Sequence, residues 1–175
     1  MSDTLYFDLF GTTLGWMGAL ASEQGLRKLI LPKTSPEEVV KDLKLEIVGA
    51  IASTKKFRNL RKRLDLYFSG SLQNFDDPLD LSGAPDFFLN AWQACKSIPV
   101  GNVRSYRWLA EQAGNSKAVR AAGLAMARNP VPIFIPCHRV IGSNGRLHGY
   151  GGGLAMKQRL LEIEGVTPIQ SQLTL

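Results

Sequence analysis

Cys137 and His138 stand side by side in Ile135-Pro136-Cys137-His138-Arg139-Val140, ahead of the glycine-rich stretch 145–153. A thiolate is the nucleophilic form of cysteine, and a nearby base or cation lowers the thiol pKa. The pair therefore predicts a nucleophile activated by its neighbour, with a pKa below the ~8.5 of free cysteine. Adjacent side chains on a strand point to opposite faces, so a turn or a water must carry the proton between them. Tyr106, Arg120, Asn129, Tyr150 and Glu164 all fall within sixty residues, which adds an acid, a cation, an amide and a carboxylate. By position alone Glu164 reads as a solvated acid at a helix end, Tyr106 as a first-turn packing residue and Asn129 as a helix C-cap. Cys95 reads as a small buried apolar residue. Two cysteines and two histidines do not supply a zinc-finger spacing, so no metal is expected.

The elements that must position these groups follow from pattern. Leu5-Phe7-Leu9, Leu14 to Leu20 and Leu26 to Leu31 alternate between turn glycines and predict three short antiparallel strands. Ser35-Pro36-Glu37-Glu38 opens a helix carrying Val39, Val40 and Leu43. Phe57, Leu60, Leu64 and Phe68 mark a second helix over 55–68. Its other face, Lys55 to Arg63, reads as a solvated basic face or a secondary nucleic-acid contact. Residues 69–84 are turn-rich and polar and predict a linker, dividing the chain into an N-terminal α/β lobe (1–82) and a mainly α C-terminal domain (83–175). There, Phe87 to Ser97 form an amphipathic helix with Phe88, Trp92 and Cys95 inward. Ser105 caps a short helix closed by Gly114-Asn115, and Ser116 starts another that runs to about Arg128. Two such helices joined by a tight turn predict a helix-turn-helix. The last helix runs from Leu154 to Glu164, with Gly165 and Pro168 beyond it.

Charge separates the two halves. Residues 1–84 carry 11 basic and 11 acidic residues, whereas residues 85–175 carry 10 and 4. The excess of +6 surrounds the candidate nucleophile and points to an anionic polymer, nucleic acid above all. The helix after Ser116 is nearly bare, with Ala121, Ala122 and Gly123 beside Lys117, Arg120 and Arg128. Few of its groups can read base edges. That fits close, sequence-independent approach to a minor groove, or else close helix packing within a core. No apolar run reaches the ~18 residues of a membrane span, and Met1-Ser2-Asp3-Thr4 lacks signal-peptide character. A cytoplasmic protein is expected (nucleoid-associated in a prokaryote, nuclear in a eukaryote) with free thiols.

Ser105-Tyr106, Lys117 to Ala121, Asn129-Pro130-Val131-Pro132-Ile133, the Pro-Cys-His-Arg run, Gly149-Tyr150 and Glu164-Gly165 together resemble the O6-alkylguanine-DNA alkyltransferases. The resemblance covers about residues 85–166; the first 84 residues match the family's N-terminal lobe only in length and pattern. It implies an RNase H-like first lobe and irreversible, single-turnover transfer of an alkyl group from guanine O6 in double-stranded DNA to Cys137. It also implies no cofactor and a monomer acting on the DNA, with cooperative binding along DNA left open. His138 would deprotonate Cys137 through a water, and Glu164 would orient the histidine, with Glu162 as the fallback. Asn129 would brace the turn before the active-site strand. Tyr106 would assist base extrusion and protonate the leaving guanine. Arg120 would fill the gap left by the flipped nucleotide. Ser105, Lys117, Ala121, Ala122, Gly123 and Arg128 would line the DNA. Tyr106, Pro132, Val140, Tyr150, Gly151 and Gly152 would wall the base pocket.

Overall fold

The computed structural model describes residues 4–167, in two compact units, Met1–Ser82 with Pro130–Phe134, and Gly83–Asn129 with Ile135–Leu175. The second unit is thus not one continuous run from 83: five residues just before the Pro-Cys-His-Arg motif group with the first. Pro168 lies outside the described residues.

In the first unit β1 (Tyr6–Thr12), β2 (Gly15–Ala21) and β3 (Leu26–Lys33) form the antiparallel meander that alternation predicts. A fourth strand, β4 (Ile51–Ala52), pairs with β1 in parallel, giving the order β3-β2-β1-β4. The sheet is therefore mixed rather than antiparallel. α1 (Pro36–Leu43) and a 3-10 turn at Lys44–Ile47 return the chain so that β4 runs alongside β1. Two residues are too few to show a period of two. Ser35 caps α1 by accepting from Glu38 N, and Val39 and Leu43 are buried while Val40 faces out. Gly18 lets α1 lie against β2, because a Cβ there would sit 2.5 Å from Val39 Cγ1.

α2 (Thr54–Phe68) buries Phe57, Leu60, Leu64 and Phe68, and also Tyr67. Its basic face is partly neutralised: Arg63 makes a two-pronged contact with Asp77 (2.7 and 2.6 Å) and Arg61 reaches Asp8 at 3.5 Å. The expected linker is not simply solvated chain. Leu26 N donates to Pro78 O and Asp80 N to Leu26 O, both at 2.9 Å. The buried Asp80 carboxylate collects the hydroxyls of Ser22 and Ser82 and a guanidinium N–H of Arg27. Asp80 looks like a turn residue in sequence, since Ser22 and Arg27 among its partners lie more than fifty positions upstream.

The second unit is mainly helical. α3 (Asp86–Lys96) buries Ala91, Trp92 and Cys95, and the Trp92 indole donates to Ala125 O at 2.8 Å. β5 (Arg104–Ser105) leads into α4 (Tyr106–Gln112), capped by Ser105 Oγ, which accepts from Trp108 N. α5 spans Val119–Ala127, three residues later than expected. Asn115 explains the delay: its side chain accepts from Lys117 N and its carbonyl from Ala118 N, so 115–118 form a turn instead of a first helical turn. Residues 137–139 form a 3-10 turn, not a strand; only Val140–Ile141 (β6) is extended, and it pairs in parallel with β5. α6 (Leu154–Ile163) ends with Glu164 as its C-cap and Gly165 at φ +77°. No helix among the described residues is long and apolar enough to cross a membrane.

Candidate active site

β5–β6 pairing sets Arg104 opposite Val140 and Ser105 opposite Ile141, so the start of α4 lies beside the end of the Cys137 turn. α6 packs on that same turn. Asn129, just past the Arg128 C-cap of α5, donates to Ile135 O at 2.7 Å and to Cys137 Sγ at 3.1 Å. The brace expected of Asn129 thus includes the thiol itself.

Cys137 is 5 % exposed and His138 0 %. His138 Nε2 lies 2.9 Å from Glu164 Oε1, while its buried Nδ1 has no hydrogen-bond partner among the described residues. Glu164 is 6 % exposed, so the solvated reading of that position does not hold. The C-cap position at the foot of α6 turns it inward, where Arg139 grips it through Nε (2.8 Å) and Nη2 (2.9 Å). Burial by itself would raise the Glu164 carboxyl. The hydrogen bonds from His138 and Arg139 and the charge of Arg139 outweigh it and hold the group well below the usual carboxylate range. Glu162 is exposed and engages Gln158 and Arg159 rather than His138. Burial depresses His138 more than Glu164 supports its cation, which keeps the imidazole neutral.

The thiol departs from the sequence expectation. Burial pushes Cys137 above the ordinary cysteine value, opposed by the Asn129 hydrogen bond, the charge of Lys157 and a hydrogen bond from Tyr150. A dry site disfavours the anion, and a neutral neighbour such as His138 does not offset that. Cys95 is fully buried, is not in a disulfide and has its pKa pushed higher still, as an inert apolar residue should.

Two charged residues that pattern reading leaves without a role complete the site. Arg139 also donates to Ile98 O at 2.6 Å. Lys157 is wholly buried in α6: its ammonium donates to Val140 O (2.7 Å) and Tyr106 Oη (3.3 Å) and sits 5.6 and 5.9 Å from the centres of the Tyr106 and Tyr150 rings. Burial brings its pKa down to about 8. Tyr106 is pushed up to about 12 by burial, with the two cysteines adding to the effect. An apolar 3.6-residue stripe through Leu160, Leu161 and Lys157 is the one sequence signal that could have placed this lysine inward.

Arg120, Lys117 and Arg128 are exposed, and Ala121, Gly123 and Ser105 half-buried. Ala122 is 0 % exposed and offers no surface to a partner, because the helical period turns Ala122, Ala125 and Met126 inward. Tyr150 and Gly152 are half-buried, Gly151 is exposed and Val140 is buried. Pro132 is buried within the segment that belongs to the first unit. A cleft of about 230 Å³ in that unit, between the β2–β3 turn and α2, contains none of these groups. Among the described residues no cluster of three or more His, Cys, Asp or Glu could hold a metal ion.

The second unit therefore presents a buried thiol backed by a base–carboxylate–guanidinium chain on a basic, helical frame, the equipment of a protein that acts through a cysteine. Residues 86–166 match the family model of the 6-O-methylguanine DNA methyltransferase DNA-binding domain. A methylated-DNA–protein-cysteine methyltransferase of Methanosarcina acetivorans is 39 % identical over 92 % of this chain and 99 % of its own length. A namesake from Mycobacterium leprae is 50 % identical over 67 % of this chain and 70 % of its own. Among solved structures, the O6-methylguanine methyltransferase of Mycobacterium tuberculosis aligns with a TM-score of 0.77 at 35 % identity, covering 95 % of this chain and 97 % of that one. The same organism's protein in complex with DNA aligns at 0.75 and 37 %, covering 91 % and 92 %. The chain belongs to the methylated-DNA–protein-cysteine methyltransferase family.

Proposed function

We propose that this chain repairs DNA by direct reversal, moving the alkyl group of O6-alkylguanine onto Cys137 Sγ once and irreversibly. The sulfur forms a bond to the alkyl carbon as the carbon–O6 bond breaks, and guanine leaves after gaining a proton. Because the resting thiol is protonated, a base must act first. Neutral His138 is suited to that, with Nδ1 taking the thiol proton through a bridging water while ionised Glu164, held by Arg139, stabilises the imidazolium. Tyr106 supplies the proton for guanine, and Lys157 steadies the phenolate left behind. Asn129, already on the sulfur, favours the thiolate. Tyr150, Gly151, Gly152 and Val140 wall the base.

For the base to reach Cys137 it must leave the duplex. We read α4 and α5 as a helix-turn-helix lying in the minor groove, with Arg120 filling the vacated stack and Lys117, Arg128 and the small residues Ala121 and Gly123 against the backbone. The first lobe we read as RNase H-like, and the working species as a monomer in the cytoplasm. The observation that carries the reading is the buried Cys137 held by Asn129 beside the His138–Glu164–Arg139 chain. The test is an intact mass after mixing with an O6-methylguanine duplex. A stoichiometric gain of one methyl on the Cys137 peptide, absent in Cys137→Ala, supports it; no gain, or a gain on Cys95, overturns it.

A further inference from the structure

Between Asn129 and the Cys137 turn the chain passes through the first unit for five residues, Pro130–Phe134. Three features fasten it there. Leu29 N in β3 donates to Pro130 O at 2.9 Å. The Phe134 ring packs on Phe75 with centroids 5.0 Å apart, and Phe75 meets Tyr67 edge-on at 5.5 Å. Val131, Ile133 and Phe134 are all buried.

Inside this segment Ile133 has φ +77°. A β-branched residue in the left-handed region is a genuine outlier, and such strain persists only where surroundings impose it. Ile133 and Phe134 form a tight turn, so the direction in which the chain leaves for Ile135 and Cys137 is set by that turn, whose first residue carries the strained dihedral. Ile135 O and Cys137 Sγ are the two atoms that Asn129 holds. A relaxed Ile133 would re-aim Ile135 and break both contacts together.

We infer that the Phe134–Phe75–Tyr67 ring stack is a positioning device that holds Ile133 in its left-handed turn and thereby sets Cys137 Sγ against Asn129. Resting on the reading of Cys137 as alkyl acceptor, it gives the first lobe a part in the chemistry. The groups that bear on the thiol are Asn129, Lys157 and Tyr150, with Tyr106 and Cys95 near enough to feel its charge; of these, Asn129 also holds the end of this segment, at Ile135 O.

The experiment is a double-mutant cycle on the full chain. Phe75→Leu removes the ring contact but keeps apolar bulk; Ile133→Gly adopts a positive φ without steric cost, and Ile133→Asn, which also tolerates that region, serves if glycine leaves the fold too weak. The readouts are the rate of alkyl transfer from free O6-benzylguanine and the pH profile of Cys137 alkylation by iodoacetamide, which does not depend on repair activity. Losing one hydrogen bond to sulfur should slow transfer about three- to tenfold in Phe75→Leu and move the iodoacetamide profile to higher pH. In the Ile133→Gly background the same ring substitution should slow transfer less than twofold. An equal Phe75→Leu defect in both backgrounds, or a slower transfer with an unmoved pH profile, overturns the inference. If Cys137 takes no benzyl group in the wild type, the functional reading fails instead, while the iodoacetamide profile still tests the positioning.

Discussion

Glu164 holds two buried groups at once, so Glu164→Gln should damage stability and chemistry by separable routes. The carboxylate meets Arg139 through two contacts of 2.8 and 2.9 Å and His138 through a third of 2.9 Å. Neutralising it leaves the Arg139 guanidinium, 11 % exposed, without its counter-charge. Removing one partner of a buried pair costs about 3–5 kcal/mol. For a chain of this size that corresponds to a fall in melting temperature of about 6–20 °C. The chemical loss comes from the tautomer. With a carboxylate opposite, Nε2 must carry the proton, leaving Nδ1 as the base. Arg139 will claim the carbonyl oxygen of a glutamine and turn its amide N–H groups toward Nε2. The imidazole must then hold its proton on Nδ1, where it cannot accept another. A wrongly protonated catalytic histidine loses about 10⁴ in rate in the best-studied serine protease case; a loss of about 10²–10⁴ is expected here. Stopped-time mass spectrometry with O6-benzylguanine gives the rate, calorimetry the stability, and Glu162→Gln is the control. A rate within threefold of wild type would refute the tautomer argument, and an unchanged melting temperature would refute the ion-pair argument.

Three further outcomes follow from the same geometry. Lys157 has a folded pKa of about 8 against ~10.4 unfolded, so the unfolded chain binds more protons between those values. The cost of burying the cation is complete below pH 8 and fades as pH rises toward 10.4. Wild type should gain on Lys157→Met by about 3 kcal/mol across that window, and a pH-independent difference in urea midpoints would contradict it. Arg120→Ala should slow reaction with a lesion duplex far more than with free O6-benzylguanine, because only the duplex requires extrusion, at a few kcal/mol; equal losses would place Arg120 in the pocket or the fold. Affinity for undamaged duplex should fall with salt at a log–log slope of roughly −3 to −5, nearly alike for two unrelated sequences; a flat response or a hundredfold preference would overturn the reading of α5.

What could be read from the sequence, and what could not, divides by the range of the interaction that decides it. Alternation over 5–31, the Ser35 and Ser105 caps and the Phe57–Phe68 stripe are settled within a few residues, and the elements lie close to where those signals put them. β4 and the Pro78–Asp80 attachment depend on partners far along the chain and leave no local trace. The start of α5 failed for a local reason, since Asn115 spends its side chain on a turn that competes with a helix N-terminus. The Cys-His pair could be found by residue type, but the sign of the thiol's shift could not, because burial decides it.

The same distinction governs charge. Counting residues gave 85–175 an excess of +6 and assigned it to phosphates, yet Lys157 is wholly inside, and Arg139 nearly so with its acid Glu164. A sequence states how many cations there are without saying which face water. Those at the surface, among them Arg104, Lys117, Arg120, Arg128 and Arg146, attract a polyanion and are screened by salt. The two inside work where screening is weak: one keeps Glu164 ionised opposite a neutral histidine, the other lies on Tyr106 and lowers the thiol from the value burial alone would give it. Salt should therefore weaken encounter with DNA while leaving the transfer from free base nearly untouched, so the two sets of charges can be told apart by one titration run on both substrates.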